Sequence, residues 1–250
     1  SFIEPASEAE LIDAVASADR DGRAITLLGG GSNVLFSDDF RGHVIRVSHT
    51  GIENDASACA GAWVTVQAGQ SWDDVVAQAV AQGWSGIEGL SGIPGTVGAT
   101  PLQNVGAYGQ QVSDTIAQVR VWDRHDSEVR TLFAADCRFG YRTSLFKHHP
   151  DRWVVLSVTF QLKLGTLSAP ITYDEVSRHL GVPAGERIDL AQMRDCVLAL
   201  RASKGMLLDP ADTDTWSVGS FFLNPRVGRA PDGAPHWDQL DGSVKVSAAW

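Results

Sequence analysis

Four short stretches carry residue types that can do chemistry. The first is Gly29-Gly30-Gly31-Ser32-Asn33. Three glycines followed by Ser and Asn offer consecutive backbone amides and two side-chain donors, the makings of an anion-binding nest. The run lacks a following GK[ST] and is not GxGxxG, so neither phosphate-loop signature applies. A plain tight turn fits it equally well. The second is the glycine-rich run from Trp84 to Gly109. It has seven glycines in Gly86–Gly109, with Gly89, Gly92, Gly95 and Gly98 at every third position, and one formal charge, Glu88. Such a run is neither solvated linker nor collagen repeat. It reads as ordered, irregular backbone that lets a flat or charged ligand approach closely; a glycine-rich crossover between layers is the alternative. The third is Phe139–Lys147, where Arg142 can fork to a carboxylate or phosphate or lie stacked on Tyr141 at the surface. The fourth is Val218–Pro225, where Ser220 precedes two Phe. A hydroxyl in a desolvated pocket can donate a proton, although the spacing alone favours a capping Ser in a turn, and GxSxG is lacking.

Local signals predict the elements that position these stretches. Ser7-Glu8-Ala9-Glu10 is a capping box, and the helix after it ends near Asp21-Gly22 with Leu11, Ile12 and Val15 on one face. Ala24–Leu28 is a short buried strand that runs straight into the three glycines. Val44–Val47 and Trp63–Gln67 are further strands. Ser71 is expected to cap a helix to Gln82, with Trp72, Val75, Val76 and Ala79 inward and Gly83 as its stop. Ile116–Asp123 and Val129–Leu132 form a hairpin around Asp126-Ser127. Trp153–Lys163 alternates as a half-buried strand, with Val154, Leu156, Val158, Phe160 and Leu162 on one face. A boundary falls near Gly165–Pro170, and the texture beyond it is more helical. Asp189 caps a helix through Ala202 that buries Leu190, Met193, Val197 and Leu200. Arg201 and Lys204 at its end complement the helix dipole. Pro225–Asp241 is loop-like.

Composition sets limits. The 250 residues carry a net charge of −10, which argues against broad nucleic-acid binding while leaving room for a local basic pocket. The hydrophobic content of 44%, with eight Trp and nine Phe, allows a substantial core. Cys59, Cys137 and Cys196 make no metal spacing and read as reduced thiols of a cytosolic protein. His148 and His149 on an extended segment point opposite ways, and no metal is expected. No run approaches a membrane span and no signal peptide opens the chain. Both ends read as cut.

Taken together, the Gly-Gly-Gly-Ser-Asn turn, GIPGTVGATPLQNVGAYG, FGYRTSLFK and VGSFFLNP resemble the UDP-N-acetylenolpyruvoylglucosamine reductases, in the same order and across most of the chain. Ile171-Thr172-Tyr173-Asp174 resembles the lid of the lid-bearing form. The resemblance implies an α+β architecture: the FAD-binding fold of the vanillyl-alcohol-oxidase type, built of two subdomains (about 1–50 and 51–164), plus an α+β substrate-binding domain (165–250) truncated at its C-terminus. It implies non-covalent FAD, NADPH as hydride donor, and UDP-N-acetylglucosamine enolpyruvate reduced to UDP-N-acetylmuramate for bacterial cell walls in the cytoplasm.

The implied roles follow residue by residue. Gly29, Gly30, Gly31, Ser32 and Asn33 hold the FAD pyrophosphate. Ser91, Gly92, Ile93, Gly95, Gly98 and Ala99 line the flavin, with Gln103 nearby. Arg142 binds the enolpyruvyl carboxylate and Ser220 donates the proton. Tyr173, Arg201, Lys204 and Asn224 contact the UDP-sugar, with Tyr141 beside them. A further catalytic Glu of the family falls outside this chain. The alternatives are another FAD-dependent oxidoreductase of the fold, such as a hydroxy-acid or sugar oxidase, or a non-catalytic nucleotide-binding module.

Overall fold

A computed structural model describes residues 1–37, 42–239 and 241–248. The chain forms two compact units, 1–217 and 218–250. In chain order the first unit contains β1 (Phe2–Ile3), α1 (Glu8–Arg20), β2 (Ile25–Leu28), β3 (His43–Arg46), β4 (Ile52–Ser57), β5 (Gly61–Gln67), α2 (Trp72–Ala81) and β6 (Trp84–Ser85). It continues with β7 (Gly106–Ala107), β8 (Gln110–Gln111), β9 (Ile116–Asp123), β10 (Glu128–Phe133), α3 (Leu145–His148), β11 (Trp153–Leu164), α4 (Asp174–Leu180) and α5 (Leu190–Ala202). The second unit holds β12 (Arg226–Val227), β13 (His236–Asp238) and β14 (Val244–Val246), paired antiparallel in the order β12-β14-β13.

Three helices, α1, α2 and α5, form where local chemistry predicts them. Ser7 Oγ accepts from Glu10 N at 3.2 Å, and Glu10 Oε2 accepts in return from Ala6 N, one residue before the usual partner. Asp189 accepts from Ala191 N and Gln192 N at the start of α5, and Leu190, Met193, Val197 and Leu200 are buried. The inward face of α2 is also as expected, but Ser71 makes no side-chain cap there. Instead the Trp72 amide at the start of α2 donates to Gly95 O at 3.0 Å, so the helix opens against the glycine-rich loop.

Two sheets organise the first unit. β1-β3-β2 is parallel, as expected of strands joined by a crossover. The larger sheet runs β10-β9-β11-β5-β4, antiparallel throughout, with β6 also pairing with β11. The exposed strand β4 at its edge has no apolar run and is absent from the sequence-based reading.

Strand β11 departs from the half-buried expectation. Residues from Val154 through Phe160 are all buried, because β11 lies between β9 and β5 with helical layers on both sides. Its apolar residues do not share one face either. Val154 and Leu156 pack with Leu11 and Val15 of α1, whereas Val155, Val158, Phe160 and Leu162 pack with Trp72, Val75 and Val76 of α2. A shift of register against β9 between Val155 and Ser157 accounts for the switch. One extra residue in the ladder exchanges the faces of everything beyond it.

Candidate active site

The three glycines leave β2 and meet the glycine-rich loop almost backbone to backbone. A Cβ added to Gly30 would lie 3.0 Å from Gly95 Cα, and one added to Gly29 would lie 2.7 Å from Thr96 Oγ1 and 3.7 Å from Ala99 Cβ. Glycine at these positions is therefore a packing requirement. Gly31 adds a positive φ of 75° that favours glycine. The amides of residues 29–33 donate to no other backbone group among the described residues. Gly30, Gly31 and Asn33 are exposed and Ser32 is half-buried. The structure thus brings Gly29, Gly30, Ser32, Gly95 and Ala99 together around open, donor-rich backbone, the arrangement an anion needs.

The loop beneath is held from below. The Ser91 hydroxyl is fully buried and donates to Glu88 O at 2.6 Å. Gly92 N donates to Asp73 Oδ1 at 2.6 Å, and Gly92 O accepts from Arg201 Nε at 3.0 Å. A Cβ on Gly92 would meet Leu198 Cδ2 at 2.8 Å, and one on Gly98 would meet Ala68 Cβ at 2.6 Å. Ser91, Gly92 and Gly98 therefore shape the loop from its buried side. Half-buried Ile93 and Gly95 and exposed Ala99 are its accessible members, and Gln103 is half-buried in the turn that follows.

Three supports were not singled out from the sequence. Asp73 takes both Arg194 Nη atoms, at 2.7 and 2.8 Å, besides the Gly92 amide. Burial alone would raise its carboxyl, but the Arg194 and Gly92 hydrogen bonds bring it below the usual aspartate value. Glu88 is fully buried and accepts from Gly86 N, Gln110 Nε2 and Ala169 N. Its isolation as the one acid in an uncharged run was the available signal. Asn104, buried with φ 48°, accepts from Ser113 N and donates to Gln111 Oε1 and Gly140 O.

Arg142 reaches the far end of this loop. Its Nη2 donates to Gly106 O at 2.6 Å and its Nη1 to Asn104 O at 3.4 Å, while Cζ lies 5.6 Å from the centre of the Tyr141 ring. The fork is engaged by backbone carbonyls, and the aromatic contact exists. Arg142 itself has φ 54°, an uncommon conformation for a non-glycine residue. Lys147 Nζ donates to its carbonyl at 3.0 Å.

A second cluster gathers around the end of α5. Arg201 is only 5% exposed and also donates through Nη2 to Met206 O at 2.7 Å. Burial lowers its pKa from the ordinary arginine value, with Tyr108 and Asp73 opposing. It is therefore a buried brace of the Gly92 peptide as well as a cation near the site. Lys204 Nζ pairs with Glu175 Oε2 at 2.6 Å and lies 5.7 Å from the Tyr108 ring centre. The rings of Tyr108 and Tyr173 meet edge-on at 5.5 Å. Burial raises the Tyr108 hydroxyl, against the pull of Lys204 and Arg201. The structure thus joins Tyr173, Arg201 and Lys204 and adds Tyr108 and Glu175.

Ser220 and Asn224 belong to the second unit. Ser220 is exposed there, beside Phe221 and Phe222, whose rings meet edge-on at 5.1 Å. Asn224 Oδ1 accepts from Ala248 N at 2.9 Å and so ties the Val218–Pro225 segment to the end of the unit. No group of three or more His, Cys, Asp or Glu suited to a metal occurs among the described residues, and no described helix is long and apolar enough to cross a membrane.

Comparison with known proteins places these features. Residues 1–132 match the FAD binding domain family. The chain is 57% identical to UDP-N-acetylenolpyruvoylglucosamine reductase of Cutibacterium acnes over 96% of its own length and 65% of the relative's. It is 48% identical to the enzyme of that name from Thermobifida fusca, over 100% and 74%. It therefore spans about two thirds to three quarters of the length of these relatives. The crystal structure of UDP-N-acetylenolpyruvylglucosamine reductase from Thermus caldophilus superposes with a TM-score of 0.57 at 24% identity, covering 90% of this chain and 67% of that one. Cholesterol oxidase from Brevibacterium sterolicum superposes at 0.51 with 16% identity, over 66% and 34%. Together with the FAD binding domain match, these two likenesses bear out the expected FAD-binding fold of the vanillyl-alcohol-oxidase type.

Proposed function

Because the chain belongs to the UDP-N-acetylenolpyruvoylglucosamine reductase family, we propose that it forms most of an NADPH-dependent flavoenzyme that reduces UDP-N-acetylglucosamine enolpyruvate to UDP-N-acetylmuramate. The reaction serves peptidoglycan precursor synthesis, and through it cell wall biogenesis, cell shape and division, in the cytoplasm. The observation that carries the reading is the bare backbone saddle where Gly30 abuts Gly95, next to five amides that have no backbone partner among the described residues. A non-covalent FAD fits it: the amides of residues 29–33, with Ser32 and Asn33, would hold the pyrophosphate, and Ile93, Gly95 and Ala99 would lie against the ring system. FAD when bound would relay hydride from NADPH to the enolpyruvyl methylene carbon.

The remaining roles belong to this chain's own residues. Arg142, its guanidinium already oriented by the Gly106 and Asn104 carbonyls, binds the enolpyruvyl carboxylate and stabilises the negative charge that develops beside it. Tyr141 flanks that guanidinium. Ser220 supplies a proton to the α-carbon. Tyr173, Arg201, Lys204 and Asn224 contact the UDP-sugar, the two cations facing its diphosphate. Residues 1–50 and 51–164 form the cofactor region and 165–250 the substrate region.

The reading is tested by loading the protein with FAD and reducing it anaerobically with NADPH. UDP-N-acetylglucosamine enolpyruvate should then restore the oxidised flavin spectrum, and acid should release the flavin. A flavin that this substrate never reoxidises would refute the assignment.

A further inference from the structure

We propose that Glu175 is a built-in competitor for Lys204 and sets how tightly the site takes a nucleotide diphosphate. The inference rests on the reading above, in which Lys204 faces that diphosphate.

Lys204 follows α5, and Glu175 lies in the first turn of α4. Their pair is short, 2.6 Å from Nζ to Oε2, yet both partners keep solvent access, with side chains 39% and 29% exposed. Partial burial pulls the ammonium down, but the Glu175 hydrogen bond together with Tyr108, Glu175 and Tyr173 outweighs it, so the Lys204 pKa is raised. The cation is therefore fully charged and held by one carboxylate. The lysine is a compact, rotatable point charge that can exchange one oxyanion for another. The charge of Glu175 also acts on the Tyr108 hydroxyl, where it opposes that of Lys204 and Arg201. Any diphosphate reaching Lys204 must displace Glu175 or share the ammonium with it, against its repulsion. A partly exposed pair of this kind is weak enough to be exchanged. It is strong enough to lower the apparent affinity of an anionic ligand.

The sign of one substitution separates this role from a structural one. If Glu175 merely latched α4 to α5, Glu175→Gln would loosen the site and weaken binding. As a competitor, its removal must tighten binding. The FAD-loaded chain is titrated with UDP by calorimetry at low ionic strength. Glu175→Gln should bind UDP about two- to fivefold more tightly than the parent, the range a partly exposed ion pair supplies, and the gain should shrink as salt is added. Lys204→Gln should bind UDP more weakly, and adding Glu175→Gln to it should give no gain. Weaker or unchanged UDP binding in Glu175→Gln, while Lys204→Gln still weakens it, overturns the competitor role and leaves the diphosphate assignment standing. UDP affinity unaffected by Lys204→Gln removes the assignment and the competitor role with it.

Discussion

Gly30→Ala is the substitution that most directly probes the saddle. Its Cβ would sit 3.0 Å from Gly95 Cα and 3.6 Å from the Gly95 carbonyl carbon. Carbon atoms rest at about 3.5–4.0 Å from one another, so the segments must part by about 0.5–1 Å. The obstruction is backbone, and no rotamer change relieves it. Overpacking of this kind costs about 1–3 kcal/mol. Since FAD would bridge both segments, that cost falls largely on binding, and its dissociation constant should rise about 10- to 100-fold. Gly22→Ala is the control: it has a φ of +64° and nothing within 4 Å of an added Cβ, at the end of α1. It should lower thermal stability through backbone strain of about 1–2 kcal/mol and leave FAD affinity alone. The assay titrates apo-protein with FAD, following flavin fluorescence, alongside thermal melting of the apo chain. A Gly30→Ala protein that melts earlier yet holds FAD within twofold of the parent would show that the contact is only a joint of the fold.

Other perturbations have distinct signatures. Arg142→Lys loses the fork that engages Gly106 O and Asn104 O; FAD content should persist while the substrate half-reaction slows at least tenfold, and near-normal turnover would demote Arg142 to a surface cation. Ser220→Ala should leave flavin reduction by NADPH intact and slow substrate reduction about 100-fold or more, as rapid-mixing spectroscopy of the two half-reactions would show; equal losses in both would refute the proton-donor role. Asp123, fully buried, accepts from Arg152 Nε and Nη2 at 2.9 and 2.7 Å, which with backbone amides holds its pKa at about 2 against burial. A depressed carboxylate stabilises the fold above its unfolded pKa near 3.8 and loses that contribution as pH falls toward about 2. Asp123→Asn should therefore cost about 2 kcal/mol at neutral pH and flatten the pH dependence of stability across that window. An acid-denaturation profile matching the parent's would contradict it.

Much of this protein is written in short-range sequence. The starts of α1 and α5 follow from Ser7 and Asp189, each needing a partner only two or three residues away. The inward faces of α2 and α5 follow from helical spacing, and the four motif stretches identify the family. What tertiary structure alone decided is which distant groups meet. The bulge near Leu156 splits one alternating apolar run between two cores, because the register of β11 is set by β9, a different part of the chain. Arg201, which reads as a helix-end charge, and Asp73, which the sequence does not mark, instead hold the carbonyl and the amide of Gly92. Gly30 meets Gly95, and Glu175 meets Lys204, across 65 and 29 positions of sequence respectively. Caps and periodicity are properties of neighbours along the chain, whereas a close approach or an ion pair exists only once packing has set the distance.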